Sequence, residues 1–182
     1  MVKLLLLAGM FAVVQGDIQS DRPKNTIVTT RLIAFHPEFA KGNVDSFRRS
    51  GWYKEIKDSG YFQPTNEQIL KIDLELGDYL ANVVAKSRSS KTLPNFSEGI
   101  KRIRAIRHFY GGQFMGATRA DGRKIIICMY SMVEDIDNFQ ALDHVPYVSD
   151  GDGLNFQFYY DVTTGDKTDF HIEGNFGGPF GS

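Results

Sequence analysis

From Leu154 to Asp161 the chain alternates without a break. Leu154, Phe156, Phe158 and Tyr160 fall on one parity, and Asn155, Gln157, Tyr159 and Asp161 fall on the other. A period of two belongs to an extended strand that buries one face, and it excludes an amphipathic helix over the same residues. The pattern returns after the turn Val162-Thr163-Thr164-Gly165-Asp166, where Phe170 and Ile172 alternate with Asp169, His171 and Glu173. Upstream, residues 123–131 are largely β-branched and apolar. Ala120-Asp121-Gly122 before them offers a hairpin turn, because Asp and Gly tolerate positive φ. The spacing predicts strands over 113–119, 123–131, 145–149, 154–161 and 167–173 in meander order, with Phe156, Phe158 and Phe170 in the core.

Two amphipathic helices are expected before these strands. Thr65 can cap the N–H of Gln68 while Gln68 reaches back, a capping box. Ile69, Ile72, Leu76, Leu80 and Val83 follow at helical spacing and predict a helix over 66–86. Asn95 with Glu98 repeats the starting signal. Ile100, Ile103, Ile106 and Phe109 predict the buried stripe of a second helix over 96–109, ended by Gly111-Gly112. Ile27 to Ile33 reads as a strand that Pro37 ends. Residues 38–63 carry Phe47, Trp52, Tyr53, Ile56, Tyr61 and Phe62, broken by Gly42, Gly51 and Gly60, and read as a satellite core with a short helix over 43–58. The expected fold class is α+β. Two helices pack on one face of a meander-like antiparallel sheet of four to five strands, of the cystatin-like or a related kind.

The amino-terminal residues read as an export signal. Lys3 precedes the apolar run Leu4 to Val14, and Val14-Gln15-Gly16 supplies a small-residue cleavage site. The run is too short to span a bilayer as a helix. The expected organisation is a signal peptide over 1–16, a flexible start over 17–24, one α+β domain over 25–176 and a flexible tail over 177–182. The expected location is periplasmic or secreted, with no membrane span. Cys128 is the single cysteine and cannot form an internal disulfide, so the domain must rest on its apolar core. Its place inside Ile125-Ile126-Ile127-Cys128-Met129-Tyr130 reads as a buried, inert thiol. A formal net charge of −1 gives no global field toward nucleic acid or an anionic membrane. The charge is uneven all the same. Residues 97–124 hold seven Lys or Arg against Glu98 and Asp121, whereas residues 134–182 hold ten Asp or Glu against Lys167. Complementation of the basic helix by the acidic turns accounts for this, and a basic partner or a cation at the acidic loops is the sharper reading.

The block Tyr110-Gly111-Gly112-Gln113-Phe114-Met115-Gly116, followed by Gly122-Arg123-Lys124 and an apolar strand, resembles small exported bacterial proteins of uncharacterised function. Asp150-Gly151, Phe156, Tyr160-Asp161, Thr164, Phe170 and Gly174-Asn175 fall at places matching that pattern, and Phe62-Gln63-Pro64-Thr65 is also similar. The likeness covers residues 62–176. The chain departs from it where Asp152 stands between Gly151 and Gly153. The resemblance implies a fold and an exported setting, and no catalytic residues.

Candidate chemistry is sparse. Asp150-Gly151-Asp152 opens like a calcium loop, but Leu154, Asn155 and Asp161 stand where an EF-hand needs a third oxygen ligand, a glycine and a glutamate. Asp169, His171 and Glu173 share a strand face without a second His at ligand spacing, and read as a polar sheet face. There is no Gly-x-Ser-x-Gly and no phosphate-cradling loop. Asn95-Phe96-Ser97 is a glycosylation acceptor if the source is eukaryotic. Absent a convergent catalytic set, the sequence favours a non-catalytic binding or interaction module over an enzyme. The expected partner is another extracytoplasmic protein or a small molecule, without nucleic acid, metal or cofactor. Candidate binding residues are Tyr147, Tyr159, His171, Arg107 and Tyr110. The alternative is a small hydrolase or small-ligand pocket between helices and sheet, which requires Arg107, His108, Tyr110 and His171 to converge.

Overall fold

The structure, a computed structural model, describes residues 24–49, 51, 53–88, 100–101, 103–133, 139–140 and 155–173, without the side chains of 87, 88 and 173. The expected signal at 1–16, the expected strand at 145–149 with Tyr147, residues 150–154 and the expected tail at 177–182 lie outside the described residues.

Six strands form one sheet in the order of the chain, β1-β2-β3-β4-β5-β6. They are β1 (Thr26–Thr29), β2 (Leu32–Ala34), β3 (Tyr110–Thr118), β4 (Lys124–Met132), β5 (Asn155–Asp161) and β6 (Lys167–Glu173). From β3 to β6 the ladder is an antiparallel meander. At its other edge β2 runs parallel to β3, pairing Leu32 with Gly112 and Ala34 with Phe114. The stretch from Ile27 to Ile33, expected as one strand, is a hairpin instead. Thr30 and Arg31 turn the chain between β1 and β2. The α+β class holds, with six strands.

The helices lie on both faces of the sheet, which corrects the expected one-sided cover. Helix α2 (Asn66–Arg88) opens on the capping box: Thr65 N donates to Gln68 Oε1 at 2.9 Å, and Gln68 N donates to Thr65 Oγ1 at 3.3 Å. Its stripe of Ile69, Ile72, Leu76 and Leu80 packs on Phe114, Ile126, Cys128, Tyr130, Phe156 and Phe158. Helix α1 (Pro37–Arg49) lies earlier than the helix expected over 43–58. Pro37 is its first residue, a position where a missing N–H costs nothing. Ala40, Val44 and Phe47 of α1 pack with Tyr53 and Ile56 on Met115, Ala117, Ile125 and Ile127. These sheet residues have the opposite parity to those under α2, so the two clusters occupy opposite faces. The expected satellite core is therefore a full second layer. It explains why β5 is buried at every position, its polar parity included.

The second basic helix is described from residue 100. Ile100 and Ile103 are buried and join the α2-side cluster, with Ile106 partly buried beside them. Phe109 is 46% exposed, a correction to its place in the buried stripe. The chain tightens into a 3-10 turn at Arg107–Phe109, and three residues per turn rotate Phe109 off the apolar side. Gly111 and Gly112 do not cap this helix; they are strand residues of β3.

Beyond Phe114 the free edge of β3 is closed by the irregular segment after α1. Ile56 bridges to Arg119 and Phe62 bridges to Gly116. Lys57 N donates to Thr118 O at 2.8 Å, and Ala120 N donates to Glu55 O at 2.7 Å. This anchoring sets Tyr53 and Glu55 over the α1 face of the sheet.

Candidate functional site

Two clefts, one on each face of the sheet, hold residues singled out in the sequence, and a further cleft on the α2 side is lined by Glu75, Asp78, Tyr79, Lys86 and Lys167. The first, of about 390 Å³, opens on the α1 side between β5–β6 and the segment at 51–55. Gln157 and Tyr159 of β5 form its floor, Tyr53 and Glu55 one wall, and Arg119, Asp169 and His171 the other. Gln157 pairs in register with His171. The register then slips before Tyr159, which faces Thr168, so β6 carries a bulge.

The groups in this cleft are held in place. Tyr53 Oη donates to Gln157 Oε1, and Tyr159 Oη donates to Glu55 Oε1 at 2.6 Å. The Arg119 guanidinium lies 5.9 Å from the centre of the Tyr159 ring and reaches Asp169 Oδ2 at 3.6 Å. Burial, reinforced by the Glu55 carboxylate, pushes the Tyr159 hydroxyl far above its ordinary pKa, so it stays a neutral donor. Burial lowers the pKa of His171, keeping its imidazole neutral at physiological pH. The fixed charges are Glu55 and Asp169 against Arg119, one net negative.

The backbone here is unusual. Among the described residues the two non-glycine positions with positive φ are Tyr53 and Asp169, both at 54°, and both line this cleft. A left-handed backbone costs roughly 1–2 kcal/mol in a residue with a Cβ. Farther along the same face, the side-chain amide of Gln113 and Nδ2 of Asn155 are buried without hydrogen-bond partners among the described residues. Gln113 sits in one cross-strand row with Met129, Gln157 and His171.

The second cleft, of about 480 Å³, opens on the α2 side beside the β1–β2 turn. Leu32, Leu70 and Tyr110 give it an apolar lining, and Arg31, Arg104, Arg107, His108 and Asp73 its charged rim. Burial pushes the Tyr110 hydroxyl up to about 12.

The sequence candidates are thus divided. Tyr159 and His171 share the first cleft. Arg107, Tyr110 and His108 share the second, on the opposite face, so His171 does not converge with them as acid–base work among the four requires. His171 and Asp169, expected on a solvated polar face, line a cleft instead, and His171 is half-buried. Cys128 is fully buried on the α2 side, its thiol pKa raised by burial. Among the described residues no group of three or more His, Cys, Asp or Glu is placed to hold a metal ion. No described helix is long and apolar enough to cross a membrane.

Sequence reasoning missed Tyr53, Glu55, Arg119 and Gln157 as site residues. Gln157 was legible as a polar residue in a strand flanked by apolar ones. Nothing local in Gly51-Trp52-Tyr53-Lys54-Glu55 signals that the chain will fold back over the sheet. The chain matches no family model, no curated protein and no solved structure.

Proposed function

We propose that the protein is an exported, non-catalytic binding module, and that the cleft on the α1 face holds a small polar ligand that is neutral or positively charged. One observation carries the reading: the two left-handed non-glycine residues meet in this cleft. Strained backbone persists where its surroundings enforce it, and it gathers at ligand sites. The rest of the cleft supports binding over chemistry. Tyr159 is a fixed neutral donor on Glu55, His171 is neutral, and Tyr53 is engaged with Gln157. The excess of carboxylate over guanidinium favours a donor-rich or cationic guest. The exported setting rests on Lys3 and the run Leu4 to Val14.

The test is an NMR titration of the protein with a panel of small amines, amides and sugars. The expected result is saturable shifts at Tyr53, Glu55, Tyr159 and His171 for one class, lost in Glu55→Gln and weakened in Tyr159→Phe. Saturable shifts confined to other surfaces, or none across the panel, overturn the reading. Amino-terminal sequencing of the secreted product tests export, with Asp17 expected as its first residue.

A further inference from the structure

We propose that the α2-side cleft is a second binding site, built for a carboxylate that carries an aliphatic chain. Three guanidinium groups, from Arg31, Arg104 and Arg107, stand around it against the single carboxylate of Asp73. Their engagements differ. Arg31 Nη1 donates to Phe109 O at 3.2 Å and is thereby fixed. Arg107 Nη2 lies 3.7 Å from Asp73 Oδ2, beyond hydrogen-bond distance. Asp73 accepts a further bond from Tyr130 Oη at 3.3 Å, so its charge is shared with the core hydroxyl. Arg104 is exposed and makes no ion pair among the described residues. Among the described residues, the lining of this cleft holds two more guanidinium groups than carboxylates, with Asp73 the ion-pair partner of Arg107. The guanidinium fork matches a carboxylate in two parallel bonds, which a point charge cannot do.

The apolar side of the argument is α2. Leu70 lines the cleft and is 48% exposed, and Leu74 one turn later is 79% exposed. They are two of the four large apolar residues exposed among those described. Residues four apart on a helix lie one above the other, so Leu70 and Leu74 form a short apolar track leading out of the basic mouth. Leu32 and Tyr110 continue that surface inward. A carboxylate head at Arg104, beside the Arg107–Asp73 pair, with an alkyl chain on Leu70 and Leu74 satisfies both features at once. A free inorganic anion uses only the first. A volume of about 480 Å³ lies within the range of small-molecule pockets.

The test uses the full chain and sodium dodecanoate below its micelle concentration, followed by calorimetry and by NMR of the Leu methyl groups. The expected result is 1:1 saturable binding, at least tenfold weaker in Arg104→Gln and again in Leu70→Gln. Acetate and dodecyltrimethylammonium should bind at least tenfold more weakly than dodecanoate. Both substituted residues are exposed, and circular dichroism checks that each variant folds. Glu55→Gln, in the other cleft, should leave dodecanoate binding unchanged, which separates this site from the first. No binding by the wild type, equal binding of the ammonium amphiphile, or unchanged affinity in both variants overturns the proposal. Binding to phosphatidylglycerol vesicles without binding of monomeric dodecanoate also overturns it, and assigns the face to a membrane surface.

Discussion

Asp169 sits in the β6 bulge with a left-handed backbone that glycine adopts at no steric cost. Asp169→Gly is therefore expected to raise stability by about 0.5–1 kcal/mol in urea unfolding, net of a weak exposed ion pair with Arg119. The same variant should weaken ligand binding in the α1-side cleft, because its wall loses both a carboxylate and a fixed geometry. His171 supplies a pH test. Burial lowers its folded pKa below the unfolded value near 6.5. Below pH 6.5 the unfolded chain therefore takes up the proton first, and stability falls as pH drops toward the folded value. Above pH 6.5 the imidazole is neutral in both states and contributes no slope. Glu55, Asp169 and Arg119 line the same cleft and set the field around it. His171→Gln is expected to flatten the stability profile below pH 6.5, measured by thermal melts at fixed ionic strength.

The long central strands owe their stability to being sandwiched. Phe156 and Phe158 press toward α2 while Gln157 and Tyr159 face the α1 layer, so β5 has no water-facing side. Gly116 of β3 shows how closely the covering segment sits. A Cβ there would lie 2.2 Å from the backbone oxygen of Phe62, and a backbone atom cannot rotate away as a side chain can. Gly116→Ala is expected to cost roughly 2–3 kcal/mol in denaturant unfolding. It should also loosen the Phe62 bridge, seen as faster exchange of the Phe62 amide, which donates to Gly116 O at 3.1 Å. The strands expected over 113–119, 123–131, 154–161 and 167–173 and the capped helix expected over 66–86 were legible because period and capping chemistry are local. The second layer was not. Phe47, Tyr53 and Ile56 showed their apolarity in the sequence, but the face they would cover depends on where residues 53–62 cross the sheet. That crossing is set by backbone bonds to β3, more than fifty residues away. Likewise parity alone put Tyr159 and His171 among the polar-parity positions of their strands, whereas Glu55 and Arg119 reach them only through tertiary contact.

At the scale of the whole molecule, the meander β3–β6 is built from neighbours in sequence, whereas β2 meets β3 only across the chain that carries α1 and α2. Contacts that close long loops form late and add the least local stability. Hydrogen exchange should rank the elements accordingly. The amides of β4 and β5 are expected to exchange slowest, through global unfolding, and those of β1 and β2 measurably faster, through detachment of the edge hairpin. Equal protection of β2 and β5 would contradict this division.

The parallel pairing of Leu32–Ala34 with Gly112–Phe114 carries a consequence for biosynthesis. As the nascent polypeptide leaves the ribosome, its earliest ribbon has no docking partner until some eighty further residues have emerged. Throughout that interval Leu32, Ile33 and Phe35 lack their β3 partner, so after the apolar run Leu4 to Val14 this short hairpin is the next adhesive stretch to emerge.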